Sequence, residues 1–306
     1  RPSLGLNLSL DGESLGTFVK PAGSYVNGSV SWNNNTPGRL EDVSVELKLS
    51  GAALDRSSVS VQEGFFRSVD NTIVWDKNTS AAFTTVSPAA GGSLFFRFAS
   101  LDPKAGSLPA GPNIKLEGRV SGRRAAIQGG VDENIFSAIS REVKIASNLN
   151  LSSRLVYSSG PFKNKGPIPP KAENETTYTI IWSITNDLNS ASGVKVAGSL
   201  PSYVGWLGAV SGGESVSFNQ NTREVIWNAG SVSASKSSQS VREAAFQVSF
   251  LPSLSQVGGV PVILSGQTIS GTDVFTGAEL KSSKGPLTSS LSTDPSFSGE
   301  DGRVVE

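Results

Sequence analysis

YTIIWSITNDLNSASGVKVAGSLP, residues 178–201, is the stretch whose reading decides the fold. Tyr178, Ile180, Trp182 and Ile184 alternate with Thr179, Ile181, Ser183 and Thr185. A period of two places the first set on one face of a sheet. The residues are β-branched or aromatic, which suits a pleated, half-buried surface. Ile181 breaks the polarity of the second face and predicts that this face is partly covered. Residues 186–193 supply Asn, Asp, Ser and Gly, the side chains that make turns. Val194 and Val196 resume the alternation, and Pro201 ends it, because proline cannot donate to a ladder.

The same pattern occurs earlier, over residues 25–51. Val26, Val30 and Trp32 alternate with polar residues, and Asn33, Asn34, Asn35, Pro37 and Gly38 form a turn. Val43, Val45, Leu47 and Leu49 then alternate with Ser44, Glu46, Lys48 and Ser50, so the charged face of that strand points to water. Spacing supports a duplication. Trp32 to Trp75 is 43 residues and Trp182 to Trp227 is 45; Trp75 to Phe96 is 21 and Trp227 to Phe246 is 19. Short strands separated by turn signals run through the rest of the chain, and no window sustains a 3.6-residue period. These features predict an all-β chain of two tandem immunoglobulin-like β-sandwich domains. The expected boundaries are 1–147 for a divergent copy, 148–283 for the second copy and 284–306 for a mobile, serine-rich C-terminal tail. Residues 158–171, SSGPFKNKGPIPPK, read as an extended proline- and glycine-rich loop.

Composition excludes several function classes. The chain has 306 residues, with 26 Lys plus Arg against 26 Asp plus Glu, so no basic excess exists to neutralise phosphates. Nucleic acid is therefore not an expected partner. No apolar run approaches the roughly 20 residues of a membrane span. Cysteine and histidine are absent, which removes disulfides, thiolate metal sites and the commonest general base. The lack of cysteine in a chain of this type leans toward a bacterial source. Methionine is absent too, even at position 1, so the chain is expected to follow processing or an upstream part.

The second half resembles a known group. TTYTIIWSITN, LPSYVGWLGAVS, REVIWNAGSV, FQVSFLPSLSQVG, TDVFTGAEL and the closing LSTDPSFSGEDGRVV resemble the C-terminal ectodomain of surface proteins from Patescibacteria, the candidate phyla radiation. More broadly the chain is similar to the immunoglobulin-like repeat of unknown function found in many bacterial envelope proteins, in which a strand tryptophan followed by a nearby glycine is typical; here these are Trp227 and Gly230. The likeness covers residues 149–306 well and the first half loosely, since Trp75 is followed by Asp76, Lys77 and Asn78. It implies an extracellular, bacterial cell-surface location and a natural C-terminus at Glu306. It also implies a membrane anchor N-terminal to such domains, which this chain does not contain.

Candidate chemistry is sparse. Glu41-Asp42, Asp132-Glu133 and Glu300-Asp301 are adjacent carboxylates, but glycosidase chemistry needs two across a cleft about 5–9.5 Å apart. No catalytic residue, cofactor site or metal site is assigned on this reading. Calcium is the one ion considered, because Asp11, Glu13, Asp132, Glu133 and Asp187 sit at predicted turns and domain ends. None forms the spaced pattern of a dedicated calcium loop. Tyr203 and Trp206 sit in a loop-like segment and are candidate ligand contacts for a glycan; the competing reading is that they plug the core. A lysine–asparagine crosslink would need a buried lysine, and Lys48, Lys115 and Lys144 lie on polar registers. Asn174, in an Asn-Glu-Thr sequon, reads as a turn residue. The sequence thus points to a non-enzymatic extracellular structural or adhesion module acting as spacer, surface-layer element or cell contact. Its partner would be a protein, another cell surface or a further copy of itself. The alternative is a calcium- or glycan-dependent binding module using domain-end loops.

Overall fold

Alternating apolar residues dictate the strands, and the core shows it. Val26, Val30 and Trp32 are buried on β3 (Tyr25–Asn34), and Val43, Val45, Leu47 and Leu49 on β4 (Leu40–Ser50). Each large aliphatic side chain so buried contributes about 1.5–3 kcal/mol. The computed structural model describes residues 2–104, 108–109, 111–124, 132–235 and 241–306; among these there are strands and short 3-10 turns, and no α-helix. None of the described segments is a helix long and apolar enough to cross a membrane. The chain divides into two units, Arg1–Ala146 and Ser147–Glu306.

In the first unit, β1 (Leu4–Leu10), β3, β9 (Gly91–Ser100) and β5 (Leu54–Val61) form one sheet in that order. The facing sheet runs β2 (Phe18–Pro21), β11 (Glu133–Ala146), β10 (Asn113–Arg124), β4, β7 (Thr72–Trp75) and β6 (Phe65–Arg67), with β8 (Thr85–Val86) pairing β4. Taking successive strands as A to G, the first sheet is A-B-E-D and the second contains C-F-G, the immunoglobulin arrangement. The hairpin β6–β7 is added at the edge of C. Residues 16–23 contain β2, which pairs parallel to β11 through Phe18–Val143 and Pro21–Ala146.

The second unit repeats this A-to-G topology and the hairpin at the edge of C, without a counterpart of β2 or β8 among the described residues. Its sheets are β12 (Leu149–Val156), β13 (Thr176–Asn186), β18 (Arg242–Phe250) and β15 (Val204–Val210), and β16 (Val216–Asn219), β17 (Glu224–Val232), β14 (Ala191–Ser199), β19 (Val262–Asp273) and β20 (Glu279–Lys284). A last short strand, β21 (Leu287–Thr288), pairs β19. The tryptophans occupy matching places. Trp75 donates Nε1 to the Gln62 carbonyl at 2.9 Å, and Trp227 donates to Glu214 Oε2 at 2.7 Å, each acceptor lying 13 residues upstream. The duplication read from aromatic spacing is therefore a duplication of topology.

Two segments pack more closely than their composition suggests. Residues 158–171, read as an extended loop, are irregular but form a strap over the outer face of β13. Phe162 packs on the cluster of Val156, Ile181 and Ala245, which explains why β13 is buried on both faces. Asn164 Nδ2 donates to Thr179 Oγ1 at 3.0 Å, and Lys165 N to Thr177 Oγ1 at 2.8 Å. Residues 284–306 are not a mobile tail. Leu291 and Val304 are buried, Phe297 packs edge-on against Tyr157 at 5.8 Å, and Val304 N donates to the Gly259 carbonyl at 2.9 Å. Polar composition suggested mobility, but serine and aspartate side chains here fasten backbone instead of facing water.

Candidate interaction surface

The outer face of the β10–β11 hairpin is the most featured surface of the first unit. Antiparallel pairing from Asn113–Lys144 to Arg124–Glu133 sets Lys115, Glu117, Arg119, Ser121 and Arg123 beside Asn134, Phe136, Ala138, Ser140 and Glu142. Strand alternation puts both sets on one face. An open groove of about 420 Å³ is lined by Asp42, Arg119, Ser121, Arg123, Asn134 and Phe136, among others. Phe136 is 62% exposed, and the Arg119 guanidinium lies over its ring at 4.5 Å.

At one end of the groove the charges neutralise each other. Arg123 reaches Asp132 Oδ2 and Glu41 Oε2, both at 2.6 Å, and Asp42 at 3.4 Å; Lys77 Nζ is 2.7 Å from Asp42. Hydrogen bonds from Lys77 and Arg123 hold the Asp42 carboxyl below the usual range, and Asp132 raises Arg123 further. Such exposed pairs are worth little stability each. What they do is fix side-chain positions along the groove.

The residues singled out from sequence fall in separate places. Tyr203 immediately precedes β15, and Trp206 is on it rather than in a loop. Tyr203 meets Phe250 edge-on at 6.0 Å; Trp206 lies 5.5 Å from buried Phe246 and stacks on Phe218 at 5.8 Å. Both are half-buried. Four of the five calcium candidates have carboxylates held by partners of their own. Asp11 accepts from Lys20 Nζ at 2.6 Å and from Asn27 N at 2.9 Å; Asp187 accepts from Asn148 N at 2.7 Å and Nδ2 at 2.8 Å. Asp132 and Glu133 pair with Arg123 and Arg124, while the Glu13 carbonyl accepts from Arg141. Among the described residues no three acidic side chains gather as a metal site. Every described lysine is exposed or half-buried, so none fits a buried crosslink. Of the Asn33–Asn35 turn, Asn34 is fully buried and bonds the carbonyls of Gly38, Val86 and Ser87. Asn174 bonds the Ala172 carbonyl at 3.0 Å.

Three buried charges escaped the sequence reading. Arg141, 7% exposed, donates to the carbonyls of Leu8, Glu13, Leu15 and Gly16 and so pins the loop after β1. Its signal was present: Arg141 shares the inward register of Val143 and Ile145. Asp273, fully buried, accepts from Ser147 N at 2.8 Å, Thr276 N at 2.9 Å and Asn189 Nδ2 at 3.0 Å. Burial works to raise its pKa, but these hydrogen bonds win and lower it. Asp294, 1% exposed, accepts from Tyr157 N at 2.7 Å, Ser158 N at 2.9 Å and Ser296 N at 3.1 Å. Burial again pushes up, and the backbone N–H groups outweigh it, bringing the carboxyl to about 2.

No family model and no curated protein matches the chain. Among solved structures it is similar to the C-terminal domain of the antigen I/II-family protein AspA of Streptococcus pyogenes, at 10% identity, TM-score 0.34 and coverage of 94% of this chain and 99% of that one. It is similar to the C-terminal domain of the AgI/II polypeptide BspA of Streptococcus agalactiae, at 11% identity and TM-score 0.32, covering 93% and 100%. A further likeness is to BcpA, the major pilin subunit of Bacillus cereus, at 8% identity and TM-score 0.32, covering 93% and 65%.

Proposed function

We propose that the chain is a non-enzymatic extracellular module of a bacterial surface protein, serving as a structural or adhesive segment. The observation that carries this reading is how its buried charges are used. Arg141, Asp273 and Asp294 each bond the backbone of their own unit and sew loops onto a duplicated sandwich. A chain with no cysteine must obtain such fastening without disulfides. Stapled loops are what a module outside a cell needs against proteolysis, since cleavage requires local opening. The carboxylates of the exposed groove are engaged by arginine and lysine, which supports a binding or structural role over hydrolysis. The resemblance to Patescibacteria ectodomains supports the same placement and the inferred upstream anchor. Calcium or glycan recognition through domain-end loops is the alternative reading.

Antibody raised against the chain is expected to label intact cells of the source organism. Labelling that appears only after permeabilisation would overturn the reading. Light scattering coupled to gel filtration, across concentration and with or without calcium, separates the roles. Species growing with concentration mark a self-assembling layer, and a calcium-indifferent monomer marks a spacer or adhesin.

A further inference from the structure

We propose that the free edge of β11 docks an extended segment of a partner polypeptide, which adds as a further strand and sets a carboxylate against Arg119. β11 pairs β10 along one edge from Glu133 to Lys144, whereas β2 occupies its other edge only at Val143, Lys144, Ile145 and Ala146. Over residues 133–142 that second edge has no ladder partner among the described residues. A strand directs about half of its N–H and C=O groups to each side, so this edge offers a row of unpaired backbone groups. The neighbouring strand β1 belongs to the facing sheet. It runs beside β11 without ladder pairing, and side chains of β11 link the two: Ser137 Oγ donates to the Leu4 carbonyl at 2.6 Å and Arg141 to that of Leu8 at 3.4 Å. Ile135, Ser137 and Ile139 point inward yet are only half-buried, while Val143, beside β2, is fully buried.

The backbone of the edge determines the class of occupant, since only an extended chain satisfies such a row. Side chains determine its charge. Arg119 lies directly across from Glu46 on β4, but Glu46 is taken by Arg67 at 3.7 Å. The Arg119 guanidinium turns the opposite way, onto Phe136 of β11, and no carboxylate lies within ion-pair distance of it among the described residues. It therefore sits above the edge strand, about one strand spacing, roughly 4.8 Å, from where an added strand would run. An aspartate or glutamate on the outward face of that strand reaches it, and the exposed Phe136 ring covers an apolar neighbour. A second copy of β11 is disfavoured in this place. Antiparallel pairing of two such edges over 133–142 brings Glu133 toward Glu142.

This inference goes beyond the proposed location, because edge addition does not depend on where the chain works. The test is selection of displayed random peptides, about ten residues long to span the edge, against the full chain. Synthesised winners are then followed by hydrogen exchange of the full chain. Enriched peptides are expected to alternate, to carry Asp or Glu, and to slow exchange within residues 133–142. Methylating alternate peptide nitrogens should abolish binding. Arg119→Glu should weaken the acidic peptides about tenfold and favour their lysine counterparts; Phe136→Ala should weaken both. Both positions are exposed, and unchanged melting will confirm folding. Absence of any enriched binder, protection elsewhere, or binding indifferent to both N-methylation and Arg119→Glu overturns the proposal. So does a dimer of the chain whose protection is confined to the same edge, since the occupant is then a second copy. Surface labelling of cells is unaffected by any of these outcomes, so the two readings fail separately.

Discussion

Replacing Asp294 with asparagine should loosen the C-terminal segment from the second unit by an amount the structure allows to be worked out. The carboxylate accepts from three backbone N–H groups, of Tyr157, Ser158 and Ser296, and also from Ser158 Oγ at 3.3 Å. Its pKa is lowered from 3.8 to about 2. At 1.36 kcal/mol per unit this corresponds to about 2–3 kcal/mol of stability at neutral pH. Because the folded pKa lies below the unfolded one, the contribution is complete above pH 4. It is lost as pH falls from about 4 toward 2. Asparagine offers one acceptor in place of two and turns an N–H toward donors, so the variant should lose about 2–3 kcal/mol at pH 7. Urea melts of both proteins at several pH values, followed by tryptophan emission, measure this. The wild-type advantage should hold above about pH 4 and shrink steadily between pH 4 and 2, every other titrating group being common to both. A difference below about 0.5 kcal/mol at pH 7, or one that does not change with pH, would refute the assignment of Asp294 as the fastening carboxylate.

Three further outcomes are expected. Arg141→Met should free the carbonyls of Glu13, Leu15 and Gly16, cost the first unit about 2–4 kcal/mol and open residues 13–16 to limited proteolysis, with Arg141→Lys intermediate. Gly28→Ala should cost about 1–3 kcal/mol in thermal melts, since a Cβ there would lie 2.1 Å from the Phe96 ring, whereas Gly212→Ala, with open space, should be near neutral. Trp206→Ala should destabilise the second unit by about 3 kcal/mol through loss of packing on Phe246 and Phe218; retained stability together with lost retention on a polysaccharide column would instead restore a ligand-contact role.

Sequence by itself determined the strands and their repetition. Side-chain alternation is a property of a single strand's backbone, so the buried faces of β3, β4 and β13 follow from residues two apart. Matching tryptophan intervals follow from matching strand and turn lengths. Even the covered outer face of β13 was legible in Ile181, which has no reason to face water. What only the tertiary structure decided is which distant segments meet. Asp294 bonds residues 136 and 137 positions away, and Arg141 reaches carbonyls more than 120 positions away. Nothing in a serine-rich ending distinguishes a solvated tail from one whose aspartate finds three N–H groups. Nor does alternation along β11 reveal that β2 stops four residues into its edge, leaving the remainder open. Strand identity is local in the chain, while satisfaction of a buried charge or a strand edge depends on neighbours brought close only by folding.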